Sequence, residues 1–536
     1  MNFAAAAGAE RRDDSERVSR GAFQVALLLF AVGAVSRLAP LFDAGGRLLR
    51  QFPSEDGYLM LTIARNIALG KGMTVSDGLQ PTNGTQPLAT LIFAGAFSLA
   101  GGDRRLGVLA VLLLEVALAC AAAYLLYTLA CRLLRGSSHG ESMAALLAAA
   151  WFASPLVIAH SMNCLESGLY VVAVLCVARV FADSPSPERW SSGRCAAVGA
   201  LLGLTFWTRN DGVFLVLAAC LVHVAWGLRD PAKPLARRIG ETIVFGATSL
   251  AIAAPWLVFN RMRFGAIVPV SGQSEALEAK LGENLWKVPN AVFEYATLYL
   301  PIPNSLEESR WIIAVGVGAC AAVGALAVRV LRTGPAPARA ITWLGAIFGL
   351  CLLSFYGVSF GAGYFFSRYV FPLSPFFALL WGALLRRGWE ESDSRGWRVA
   401  PAAAGLALLA FAVGLDGRLY RNGTSHMHFQ VVDWVSEHVP EDVWVAAPQS
   451  GTLGFFHDRT INLDGKVNPA ALAVRRADGA STRYVLEQRQ IEYLADWEGL
   501  ASWATQPRIA AEFDLIVDDP ERNLAVLRRR DGRVGG

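Results

Sequence analysis

Apolar runs of about 18 residues or more recur along most of this chain, and a run of that length has few destinations other than a bilayer, whose core takes about 20 helical residues to cross. Charged residues make up only 17% of the 536 residues and hydrophobic ones 54%, whereas soluble domains carry roughly a quarter charged residues. The sequence therefore predicts a polytopic α-helical membrane protein. The net charge of +4 is small and no basic patch stands out, which argues against a nucleic-acid partner. The eight cysteines show no C-x-x-C spacing and read as small apolar fillers.

Lysine and arginine placement orients the spans. Arg11, Arg12, Arg17 and Arg20 precede the first span, about Gly21–Leu41, and put residues 1–20 in the cytoplasm. About eleven spans then fit residues 21–415, with external loops at 42–105 and 260–309. Pro87–Ala100 is apolar but short, and reads as a re-entrant or surface helix; counting it as a span would put Arg132 and Arg135 outside. With an odd number of spans, residues 416–536 lie outside. Their pattern alternates helix and strand: a helix in His428–His438, then strands at Val443–Ala447, Thr460–Leu463, Ile491–Leu494, Leu515–Val517 and Leu524–Arg528. That rhythm predicts a C-terminal α/β domain on the periplasmic or extracellular face.

The stretch Gln51–Thr90 is the most informative external segment. Ser54 suits a helix N-cap, and Glu55 and Asp56 fall in the first turn, where negative charge complements orphan N–H groups. Leu59, Met60, Ile63, Ala64 and Ile67 form a stripe at helical spacing, and Gly70 ends it. A helix this short between spans is expected along the bilayer surface, holding two carboxylates at headgroup level. The same topology puts Glu166, Arg209, Asp211, Arg261, Arg263, Lys280 and Arg368 outside. Carboxylates can take a proton from an attacking hydroxyl, and cations can stabilise a departing phosphate. Each also has an ordinary structural role: Glu55, Asp56 and Glu166 as helix N-terminal acids, the arginines as interfacial side chains that snorkel. Glu115, in mid-span, is expected to hydrogen-bond a neighbouring helix. His426, His428, His438 and His457 are expected at the surface of the tail.

These residues carry a family resemblance. The segments SEDGYLMLTIARNIALGKG and TNGTQPLATLIFA, then CLESGLYVVAV, TFWTRNDGVFL, PWLVFNRMRFGAIVP and SRYVFPLSPFFALL, resemble the GT-C integral-membrane glycosyltransferases. The likeness is greatest to bacterial members akin to cell-wall arabinofuranosyltransferases, with lipid A aminoarabinose transferases and protein O-mannosyltransferases further off. In the tail, VVDWVSEHVP and VAAPQSGTLGFFHDRTINLDGKVNP resemble the external domain of that bacterial group. The resemblance implies transfer of a sugar, with inversion, from a polyprenyl-phosphate donor to a cell-envelope acceptor (glycolipid, polysaccharide or protein) at the outer face of the bacterial cytoplasmic membrane. It implies that Glu55 or Asp56 is the catalytic base, with Glu where the family usually has a first Asp, so that either fits. It makes Glu166 a second acidic site and Arg209, Arg368 and Arg261 candidates for the donor phosphate. Some members use a divalent cation such as Mg2+ or Mn2+ and others none; here Glu55, Asp56 and Glu166 would be its ligands. A transporter or flippase for a lipid-linked sugar is the rival, but it would predict inverted repeats and broken mid-membrane helices, and the sequence shows neither.

Overall fold

The structure, a computed structural model, describes residues 3–43, 46–137, 139–183, 190–227, 234–297, 301–302, 306–360, 363, 366–391, 395–422 and 428–530. Each expected span falls on a helix. Six are long and apolar enough to cross a membrane among the described residues, and seven if one bent pair counts as a single span. That pair is Gly140–Ala153 and Pro155–Ser161, over which the apolar pattern reads as one span, about Met143–His160; it bends by 61°. Pro155 brings no N–H, and the Ser154 hydroxyl accepts from Val157 N–H to start a new helix. Helices Ser167–Asp183, Ser192–Thr208 and Gly212–Gly227 are 17, 17 and 16 residues long, or roughly 25 Å at 1.5 Å per residue, just under a bilayer core. The last helix of the bundle, Arg395–Asn422, runs past the expected end at Leu415, and its Asp416 accepts from the Ser36 hydroxyl at 2.8 Å.

The external segment folds as the local signals predict. Ser54 caps helix Glu55–Ala68, accepting from Gly57 N–H at 3.1 Å. After it comes a two-stranded hairpin, β1 (Thr74–Val75) and β2 (Gln80–Pro81), then the 13-residue helix Pro87–Leu99. The Glu55 helix is not a one-faced surface helix, however. Tyr58, Leu61 and Ala64 pack into a core with Phe93, Phe97 and Leu112, while Ile63 packs on the other side with Val75 and Val467. The helix is roofed by the C-terminal residues.

Those residues form a five-stranded mixed sheet in the order β4-β3-β5-β7-β6: β3 is Trp444–Ala447, β4 Thr460–Asn462, β5 Ile491–Asp496, β6 Phe513–Asp519 and β7 Leu524–Arg529. β3 runs parallel to β4 and β5, and β7 antiparallel to β5 and β6. Two apolar clusters occupy its two faces, one around Ile461, Leu494 and Leu527 and one around Val432, Val445 and Val526. Every expected strand is present; helix Pro469–Asp478 was not expected. The sheet unit docks on the external segment by specific polar contacts. Arg65 and Arg104 both bind Asp458, at 3.1 and 3.0 Å. Ser76 donates to the Thr460 carbonyl at 2.7 Å, and Tyr58 sits among Phe429, Phe455 and Phe456. Gly84 passes so close that a Cβ there would lie 2.0 Å from the Lys466 carbonyl oxygen.

Candidate active site

Glu55 and Asp56 are neighbours in sequence but turn in different directions, because consecutive helical residues lie about 100° apart. Glu55 faces the sheet unit. Its carboxylate accepts from the backbone N–H of Gly451, from that of Thr452 at 2.8 Å and from the Thr452 hydroxyl. It thus caps helix Gly451–Phe456. Burial pushes the Glu55 carboxyl up; the Thr452 and Gly451 donors pull it back, and the nearby Asp56 charge adds to the rise.

Asp56 faces the helical bundle. Arg368 Nη1 donates to its Oδ2 at 2.9 Å, and Lys466 Nζ lies 3.8 Å from Oδ1. Burial raises this carboxyl, but Lys466 and Arg368 outweigh that and hold it below its ordinary value. Asp56 is therefore ionised wherever the protein is near neutral pH. Lys466 also pairs with Glu275, at 3.0 Å. It comes from the turn after β4, and Glu275 from helix Val270–Glu278 of the 260–309 loop.

Arg209 and Glu166 pair at 3.4 Å. Arg209 is buried and also pairs with Asp211 at 2.9 Å. Tyr356 hydroxyl donates to Asp211 at 2.8 Å and accepts from Arg209 at 3.3 Å. Tyr356 stacks on Tyr369 at 4.0 Å between ring centroids, 9° from parallel. The Tyr369 ring has Arg209 on one side at 5.6 Å and Arg368 on another at 5.8 Å. One aromatic pair thus joins the Asp56 and Glu166 clusters into a single site. Burial raises the Glu166 carboxyl, and Arg209 and Arg368 oppose the rise.

Five of the six expected site residues gather around this site, Glu55 on its sheet side. Arg261 does not: it is exposed and donates to the Gly265 carbonyl at the end of its own helix. Sequence reasoning missed Lys466, Glu275, Tyr356 and Tyr369. Lys466 and Tyr369 lie inside stretches that carried the family resemblance, so position flagged them though chemistry did not. Two tail histidines expected at the surface are buried. His428 packs against Trp497, ring centroids 4.5 Å apart and tilted by 37°, and His457 bonds the Val443 carbonyl at 2.8 Å. His438 is exposed, and His426 lies outside the described residues. Glu115 accepts from Cys164 N–H at 3.3 Å, in a loop rather than on a helix.

With this geometry in view, the solved structures that resemble the chain are informative. ArnT from Cupriavidus metallidurans, solved with undecaprenyl phosphate bound, aligns over 95% of this chain and 99% of its own, with a TM-score of 0.60 at 13% identity. The archaeal oligosaccharyltransferase AglB from Archaeoglobus fulgidus, in complex with an inhibitory peptide and a dolichol-phosphate, aligns over 96% of this chain and 75% of its own, at 0.52 and 11%. The chain has the GT-C fold. An Archaeoglobus fulgidus oligosaccharyltransferase structure with zinc and sulfate matches at 0.51 and 13%, over 92% of this chain and 71% of its own. Residues 418–530 match a family described as a domain of unknown function, DUF8728. No curated protein matches the sequence.

The GT-C fold brings back the expected divalent cation. Among the described residues no three His, Cys, Asp or Glu side chains form a metal-binding group. Glu55 is turned to backbone N–H groups, Asp56 to Arg368 and Lys466, and Glu166 to Arg209. Cations of the chain itself balance Asp56 and Glu166, and N–H and hydroxyl donors occupy Glu55, so the three carboxylates as placed do not fit a Mg2+ or Mn2+ site.

Proposed function

We propose that this chain is an inverting glycosyltransferase that moves a sugar from a polyprenyl-phosphate donor to a cell-envelope acceptor at the outer face of the bacterial cytoplasmic membrane. In this reading the chain crosses the membrane about eleven times, its N-terminus is cytoplasmic, and the sheet unit lies outside. The observation that carries the reading is the meeting of Asp56, Arg368 and Lys466. One ionised carboxylate and two cations come from three distant segments, within a GT-C fold, where the sheet unit closes over the bundle. Arg368 and Lys466 hold the donor phosphate. Arg209, braced by Glu166, Asp211 and Tyr356, adds positive field behind them. The acceptor hydroxyl binds to Asp56 and attacks the anomeric carbon. As the new C–O bond forms, the proton passes to Asp56, the bond from the anomeric carbon to the phosphate oxygen breaks, and polyprenyl phosphate leaves. Inversion follows from attack opposite the leaving group. Glu55 takes no part in that transfer.

The test is a panel of polyprenyl-phosphate sugars offered to purified full-length protein with envelope extracts as acceptor, read by mass spectrometry of donor and product. The wild type consumes at least one donor, and Asp56→Asn loses about 10²- to 10⁴-fold in rate, the usual range for a general base. A lipid-linked sugar that crosses proteoliposomes unreacted would instead support the transporter reading.

A further inference from the structure

The bundle contains a second feature that the transfer reaction does not use, running from Val288, Leu353 and Leu373 below Tyr356 to the opposite end of helix Ala336–Ser354. A cavity of about 1080 Å³ lies between helices Lys287–Thr297, Arg310–Thr333, Ala336–Ser354 and Ser374–Glu391. Its walls are largely apolar, with Val292, Leu353 and Leu380 among them, while Arg135, Arg329 and Arg386 line it from three different segments. Tyr356, beside Asp211, follows the C-terminal end of helix Ala336–Ser354; the arginine mouth lies at its N-terminal end, by Pro335 and Ala338. Nineteen residues separate the two ends, roughly 28 Å at 1.5 Å per residue, or one bilayer core. Arg135 and Arg329 are exposed and, among the described residues, neither is ion-paired with an acid; Arg386 donates to the Leu133 carbonyl at 3.2 Å. Helix Arg310–Thr333 stands off the bundle, burying little beyond Ile312, Gly316 and Val330, so the cavity has an open flank toward lipid.

We infer that this cavity is a binding site for an anionic glycerophospholipid, with its phosphate at Arg135, Arg329 and Arg386 and its acyl chains in the apolar groove. Three cations gathered at one end of a greasy cavity, at the depth of a headgroup, match a negatively charged head on two apolar tails. The size is that of a ligand pocket. The inference rests on the membrane reading above only in assigning the arginine end to the cytoplasmic leaflet, and its test does not require sugar transfer.

Full-length protein is reconstituted in phosphatidylcholine alone or in an equimolar mixture with phosphatidylglycerol. It is then extracted mildly and its retained lipid identified by mass spectrometry. Phosphatidylglycerol is retained in preference to phosphatidylcholine. In R135Q/R329Q, which alters two exposed side chains and leaves packing intact, that preference falls about fivefold per arginine, the equivalent of ~1 kcal/mol each. R135Q/R329Q/R386Q abolishes it. Equal retention of the two lipids by the wild type, or an unchanged preference in R135Q/R329Q, overturns the inference. So does displacement by inorganic phosphate, which marks an anion site without a lipid, or retention of polyprenyl phosphate alone, which makes the cavity a donor-tail channel. Donor consumption measured in phosphatidylcholine separates failure of this site from failure of the glycosyltransferase reading.

Discussion

Replacing Glu55 separates the two acids most cleanly. Its carboxylate accepts three donors from Gly451 and Thr452, across the seam between the external segment and the sheet unit. Hydrogen bonds to a charged group are worth about 1.5–3 kcal/mol each, and the N-terminus of a helix adds up to ~2 kcal/mol for an anion. Burial offsets part of this, since it pushes Glu55 toward its neutral form. Glu55→Ala leaves three donors without their acceptor, a loss of about 3 kcal/mol at ~1 kcal/mol each, and Glu55→Gln, which keeps one acceptor oxygen, loses roughly 1–2 kcal/mol. The loss appears as looser docking: faster proteolysis between the bundle and the sheet unit, and a lower melting temperature. Sugar transfer by Glu55→Gln, measured on intact protein, stays within about tenfold of wild type, whereas Asp56→Asn falls by 10² or more. The reasoning is refuted if Glu55→Gln melts like wild type yet loses as much transfer as Asp56→Asn, because the Glu55 carboxylate would then act on substrate.

Three further outcomes follow from the same geometry. Lys466→Ala raises the donor KM about 10- to 100-fold, the value of one charged contact, while Lys466→Arg restores most of it; donor titrations decide. Arg261→Ala changes transfer by less than about twofold and stability by under ~0.5 kcal/mol, because its guanidinium reaches only Gly265. Stability also follows pH with a sign set by buried groups. Burial lowers His428 to about 4, so the folded state binds fewer protons and gains stability as pH rises from 4 to 6.5. Burial raises Asp496 to about 8, so the folded state keeps a proton the unfolded chain has lost, and stability falls as pH rises from 3.8 to 8. The two oppose each other up to pH 6.5; above it His428 drops out, while Asp496 and Glu294, which burial raises to about 7, both lower stability as pH rises. Thermal melts therefore show a decline between pH 6.5 and 8 whose upper part, from about 7 to 8, Asp496→Asn removes.

How far the sequence carried follows from what each signal depends on. Ser54, the two acids and the strands of the tail are encoded within a few residues, and all appear where expected. The bend at Ser154–Pro155 was equally local and was overlooked because apolar length outweighed a proline. What sequence does not encode locally is direction. The stripe of the Glu55 helix implied one buried face, whereas packing on the sheet unit buries two. Arg261 and Arg368 look alike as interfacial arginines, and only the fold brings Arg368 to Asp56.

The division of the acid pair links docking to chemistry in a way that neither acid would achieve alone. Asp56 needs Lys466 to hold its charge, and Lys466 belongs to the sheet unit. The unit is held by Glu55, one residue away, and by the Gly84 backbone against which the Lys466 carbonyl rests. Withdrawing the sheet unit by a few ångströms therefore removes one of the two cations beside Asp56 at the same moment that it frees Glu55. Lys466 is the first of the charges, with Arg368 and His428 after it, that hold the Asp56 carboxyl down against burial; with the roof seated and the Lys466 charge gone, the carboxyl moves toward its protonated form. An acid pair split this way couples the seating of the roof to the charges around Asp56. A variant that removes this charge while Glu55 keeps the roof seated, Lys466→Met, therefore shifts the pH profile of transfer upward as well as lowering its rate. Retention of the wild-type pH profile in that variant would show that Lys466 does not set the charge of Asp56.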